Sequence, residues 1–115
     1  MWYKIREFNT EQFRVVLSWE HEQDSDLSWM DQEDLSKIES GEWTNATFRV
    51  AVYWRGQQIA VDYLGNSVYA DVNDFAREHI GSRGRYGSIF ADMMTTAITE
   101  ARKVMRNAPH MRGVK

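Results

Sequence analysis

The stretch 47–64 constrains the fold more than any other part of the chain. Thr47-Phe48-Arg49-Val50-Ala51-Val52-Tyr53-Trp54 is rich in β-branched and aromatic residues, and Arg55-Gly56 follows it. Gln58-Ile59-Ala60-Val61-Asp62-Tyr63-Leu64 then resumes the same composition and ends at Gly65-Asn66. Two such runs joined at a glycine predict a hairpin. No crossover helix fits between them, so the pair is antiparallel, and the sheet built on it is antiparallel too. Phe13, Val15, Leu17 and Trp19 alternate with Arg14, Val16 and Ser18, which predicts a further strand with one apolar face. Residues 2–8 supply a candidate strand before it, with Asn9-Thr10 in the turn.

Elsewhere the apolar period changes to that of a helix. Over 88–106, Phe90, Met93, Met94, Ala97, Ile98, Ala101, Val104 and Met105 fall on one stripe, while Asp92, Thr96, Glu100, Lys103 and Arg106 lie off it. A helix over 71–80 places Val72, Phe75, Ala76, His79 and Ile80 together. A short helix over 28–40 is expected to start at Ser28, three residues before Asp31, and to stop at Gly41. The expected fold is α+β: an antiparallel sheet of three or four strands with helices packed on one face. At 115 residues, one domain spanning 1–115 is expected, with a mobile tail from about 108, near Pro109.

Several chemistries are disfavoured by residue type alone. The chain has no cysteine, so disulfides, thiol catalysis and thiolate metal sites are out of reach. The first residues, Met1-Trp2-Tyr3-Lys4-Ile5-Arg6-Glu7, lack the apolar run of a signal peptide, and no segment has the length of a membrane span. A cytoplasmic protein without a membrane partner is the expectation. His21, His79 and His110 show no metal-ligand spacing, and no Gly-x-Ser-x-Gly elbow is present. Asp24-x-Asp26 lacks the further acids and glycine of a calcium loop. The expectation is a chain that is not an enzyme and needs no cofactor.

Charge is distributed unevenly. Residues 1–80 carry 7 Lys/Arg against 15 Asp/Glu, and residues 81–115 carry 7 against 2. Between Ser18 and Glu42 nine carboxylates face only Lys37. Glu20, Glu22, Asp24 and Asp26 recur with a period of two, so a continuing strand would project all four from one side at roughly 7 Å intervals. Such a comb could imitate the phosphates of a nucleic-acid strand toward a basic protein. It could also collect a cation, or serve only as a solvated edge that blocks strand-to-strand association. The preferred functional reading is a protein-binding face of Glu20, Glu22, Asp24, Asp26, Trp29, Asp31, Glu33 and Asp34, with Trp29 as an apolar anchor against a basic partner.

The alternative rests on the basic C-terminal segment. Gly84 and Gly87 permit close backbone approach, Arg83 and Arg85 supply charge, and the long helix begins just after. With Arg102, Lys103 and Arg106 they form a candidate anion or nucleic-acid contact, without a Walker pattern.

Asp26-Leu27-Ser28-Trp29-Met30, then Asp62-Tyr63-Leu64-Gly65-Asn66-Ser67-Val68-Tyr69, then Tyr86 with the 97–101 helix resemble small accessory proteins of bacteriophages and other mobile elements. The resemblance spans about 20–105 and implies a context in which small acidic proteins bind and block host defence or transcription proteins. It carries no catalytic residues over.

Overall fold

A computed structural model describes residues 1–22, 26–79 and 89–107, without the side chains of 78 and 79. The hairpin forms as expected, and it is longer than its apolar runs. β3 (Thr44–Trp54) and β4 (Gln57–Tyr69) pair antiparallel around Arg55 and Gly56. These two residues have φ of 52° and 79°, the left-handed pair that a two-residue hairpin turn requires. β1 (Tyr3–Asn9) and β2 (Arg14–His21) complete one four-stranded sheet in the order β1-β2-β3-β4. Every pairing in it is antiparallel.

Gly65-Asn66, read from the sequence as the end of a strand, lies inside β4. Ala46 pairs with Ser67 and Phe48 with Leu64, so Gly65 and Asn66 together oppose Thr47 alone. This is a bulge. Asn66 takes the left-handed φ of 48°, which Asn tolerates better than most residues. Turn-forming residues here let the ladder absorb a surplus residue and continue to Tyr69. A second shift places Ile59 as the surplus residue between the Val52–Ala60 and Tyr53–Gln58 pairs.

One face of the sheet carries the core. Val15, Leu17, Phe48, Val50 and Val52 are fully buried on it, as the alternation predicts, and Trp19 packs against them. α3 (Ile89–Asn107) runs unbroken against β4 and β3. It buries Phe90, Met93, Ala97 and Ala101, and the two alanines allow close approach to the strands. Met93, and not Met94, takes the central place; Met94 is half-buried on the flank of the stripe. α2 (Asp74–His79) is shorter than expected and inserts Phe75, which stacks on Phe48 with centroids 4.1 Å apart and planes at 15°. Such a pair adds about 0.5–1.5 kcal/mol beyond its burial. No residue of α1 (Gln32–Glu39) is fully buried, and Leu35 and Ile38 are half-buried. It starts at Gln32, and Asp31 is its N-cap where Ser28 was expected. No helix among the described residues is long and apolar enough to cross a membrane.

Among the described residues no helix crosses the opposite face, which is covered by its own side chains. Directly opposed residues form rows across the strands. Glu7, Val16, Ala51 and Val61 make one row, and Lys4, Ser18, Arg49 and Tyr63 make the next. Arg14 hydrogen-bonds Glu7 at 3.1 Å and lies over the Tyr53 ring. Trp2 reaches over the sheet to the Arg49 guanidinium, 4.2 Å from its ring centroid, and to Tyr63 at 6.0 Å. Val16, Ser18 and Ala51 are thereby buried without a second layer.

Candidate functional site

The connection between β2 and β3 builds a lobe whose order comes from local bonds. Asp26 accepts the Ser28 N–H at 3.2 Å, and its main-chain carbonyl accepts the Trp29 indole N–H at 3.1 Å. Met30 N–H closes the turn onto the Leu27 carbonyl at 3.0 Å. Asp31 then accepts from Asp34 N–H at 2.9 Å and starts α1, whose first turn carries Glu33 and Asp34. Both carboxylates complement the positive end of the helix dipole. At the far end Gly41 takes φ 82°, its N–H bonds the Ile38 carbonyl, and Trp43 N–H reaches Lys37. The Lys37 ammonium sits 4.5 Å over the Trp43 ring.

Trp29 is 67% exposed, although its ring is fixed by the indole bond to Asp26. Asp26, Asp31, Glu33, Glu39 and Glu42 are exposed in the same segment. Ser28, by its hydroxyl first and its N–H second, holds the Asp26 carboxyl below the usual range, so it stays charged at neutral pH. Beyond the turn lies an open cleft of about 550 Å³ lined by Met30, Trp43, Val68, Tyr69, Ala70 and Asp74. Its lining runs from the end of β4 to the first residue of α2, with Trp43 from just before β3 and Met30 from the turn. Asp71, held low by the Asn73 N–H and then by Arg77, lies close by in sequence, and Arg77 also pairs with Asp74.

The other carboxylates of the expected comb have separate roles. Glu20 is half-buried on β2, 3.4 Å from the amino group of Met1. Glu22 accepts hydrogen bonds from the Thr47 hydroxyl and from Asn66 N–H at 3.0 Å, which ties the end of β2 to the bulge in β4. Asp24 lies outside the described residues. Of the alternative set, Arg83 and Arg85, with Gly84 and Gly87, also lie outside them. Arg102, Lys103 and Arg106 are exposed on α3, where Lys103 bonds Glu100 at 3.3 Å and Arg102 and Arg106 line a shallow recess with Gln12 and Met105.

His21 meets Trp19 edge-on at 5.0 Å, and no group of His, Asp and Glu among the described residues is arranged to hold a metal ion. The cleft lined by Met30 and Trp43 was not marked by sequence. Met30, Trp43, Val68 and Tyr69 share no local period: the first two come from the β2–β3 connection and the last two from the end of β4. Comparison with known proteins returns no matching family, no curated relative and no matching solved structure.

Proposed function

We propose that this chain is a non-enzymatic binding module whose contact surface is the 26–42 lobe. Trp29 anchors a protein partner, and Asp26, Asp31, Glu33 and Asp34 meet a basic surface around the anchor. The observation that carries this reading is the Trp29 ring, fixed by a hydrogen bond and yet two-thirds exposed. A rigid aromatic held in water loses little conformational freedom on binding and is the commonest type of interface hot spot. The carboxylates supply orientation and encounter rate rather than most of the affinity. Glu20 and Glu22, which carry bonds within the sheet, stand outside this surface. The likeness to phage and mobile-element accessory proteins suggests the setting, in which the module occludes a basic groove on a host defence or nucleic-acid-binding protein.

The test is affinity capture from bacterial lysate, followed by titration of the captured partner. Trp29→Ala should weaken binding about 30-fold or more, the threshold of a hot spot. Joint neutralisation of Asp26, Asp31, Glu33 and Asp34 should weaken it most in low salt. A variant neutral at Arg102, Lys103 and Arg106 should bind the partner like the unaltered chain. If Trp29→Ala binds normally, the lobe is not the contact surface. If that basic variant alone loses salt-dependent retention on DNA, nucleic-acid binding takes its place.

A further inference from the structure

Lys4, Ser18, Arg49 and Tyr63 stand side by side across all four strands, on the face that none of the described helices covers. Two donors in the middle of that row have no acceptor. Ser18 is only 2% exposed, and its hydroxyl has no hydrogen-bond partner among the described residues. Its cross-strand neighbour Arg49 has a buried Nε–H in the same condition. Arg49 does stack on Trp2, at 4.2 Å. A stacked guanidinium uses its flat face, however, and keeps its N–H edge for an acceptor. Tyr63, 54% exposed, flanks the arginine on β4, and Lys4 extends the row with a second cation.

An arginine edge beside a hydroxyl donor is complementary to a planar or tetrahedral oxyanion, which accepts from both. Among the described residues no carboxylate bonds either donor: Glu7 is engaged by Arg14 and Lys4, and Glu20 lies 3.4 Å from the Met1 amino group. We infer that the open face holds a covered oxyanion site, in which the Arg49 guanidinium edge and the Ser18 hydroxyl take a carboxylate or phosphate group and Trp2 is the cover. Trp2 precedes β1 and lies outside its ladder, so its ring can leave without breaking a strand pairing. This site uses none of the residues of the 26–42 lobe and stands or falls separately from it.

The experiment follows the Arg49 side-chain Nε–H and the Ser18 amide by ¹⁵N NMR on the full chain. Inorganic phosphate and acetate are titrated in separate arms, with sodium chloride at matched ionic strength as the control. Saturable shifts of both signals with phosphate, with acetate, or with both are expected, and the effective arm identifies the anion class. Ser18→Ala should weaken binding roughly three- to tenfold, the loss of one hydrogen bond. Arg49→Gln should abolish it, and Trp2→Ala should tighten it several-fold, because the open state no longer has to be drawn from a minor population. If Arg49→Gln does not fold, Ser18→Ala and Trp2→Ala decide the matter. The site is refuted if neither anion gives a saturable shift in the unaltered chain or in Trp2→Ala. It is equally refuted if Ser18→Ala binds unchanged, or if Trp2→Ala binds more weakly.

Discussion

Glu22 is where a carboxylate that looks like surface charge carries structure, and its removal is measurable. Its carboxylate accepts from the Thr47 hydroxyl and from Asn66 N–H, bridging β2, β3 and β4 at the bulge. A shielded hydrogen bond to a charged group contributes about 1.5–3 kcal/mol. Glu22 is half-buried, and solvent screening lowers that figure, so Glu22→Ala is expected to cost roughly 1–2 kcal/mol. With a urea m-value of about 1–3 kcal/mol per molar, the midpoint should fall by roughly 0.3–2 M.

Gly65 provides a second arm. A Cβ there would lie 2.9 Å from the Glu22 carboxylate oxygen, so Gly65→Ala makes that oxygen shift from its place between the two donors. The two substitutions should therefore be non-additive, with Gly65→Ala costing less in the Glu22→Ala background. A loss below about 0.5 kcal/mol for Glu22→Ala, within the range of ordinary surface changes, would refute the clamp. Glu22 would then return to the acidic comb as a free charge.

Three further outcomes follow from the same geometry. Phe75→Ala removes the ring stacked on Phe48 and is expected to cost about 3–5 kcal/mol in urea unfolding; less than 1 kcal/mol would mean that α2 is not docked. Phe90→Ala, at the α3 contact with Phe8, belongs in the same range, and a much smaller loss would place that end of the helix in solvent. Glu7, Asp26 and Asp71 all titrate below their ordinary values, Glu7 chiefly through its bond to Arg14. Each therefore adds stability that is present above the unfolded carboxyl range near pH 4 and is lost as pH falls through the lower folded values. Thermal unfolding should show no loss from these groups between pH 8 and 5 and a decline below about pH 4; loss of their contribution already at pH 6 would contradict the sign.

Much of the fold was legible because its signals are periodic. The alternation Phe13, Val15, Leu17, Trp19 gave a strand face, and the stripe from Phe90 to Ala101 gave a helix face; both turn to the core, with Trp19, Met94 and Ile98 half-buried at its margin. The misreadings lie where one local pattern serves two geometries. Gly65-Asn66 suits a turn and a bulge equally, because both need a residue with positive φ. Ser28 and Asp31 are both good caps, and Asp26 resolved the choice by engaging Ser28 in its own turn. Trp29 was read from the sequence as an apolar anchor, and it is 67% exposed. The cleft and the Ser18–Arg49 pair were not legible, since contacts between segments distant in sequence leave no local trace.

The placement of the lobe has its own consequence. β2 and β3 are adjacent and antiparallel, so a short turn would have sufficed to join them, yet the chain travels through residues 22–43 between the two. Closing a longer loop is inexpensive in entropy, about 0.6 kcal/mol for each doubling of its length. The sheet therefore carries this excursion at a cost of roughly 1.5 kcal/mol relative to a short connection. Because no residue of α1 belongs to the core, little of that core depends on which sequence fills the gap. The sheet and α3 thus act as a chassis, on which the length and chemistry of the 26–42 segment can be exchanged while the framework keeps its fold.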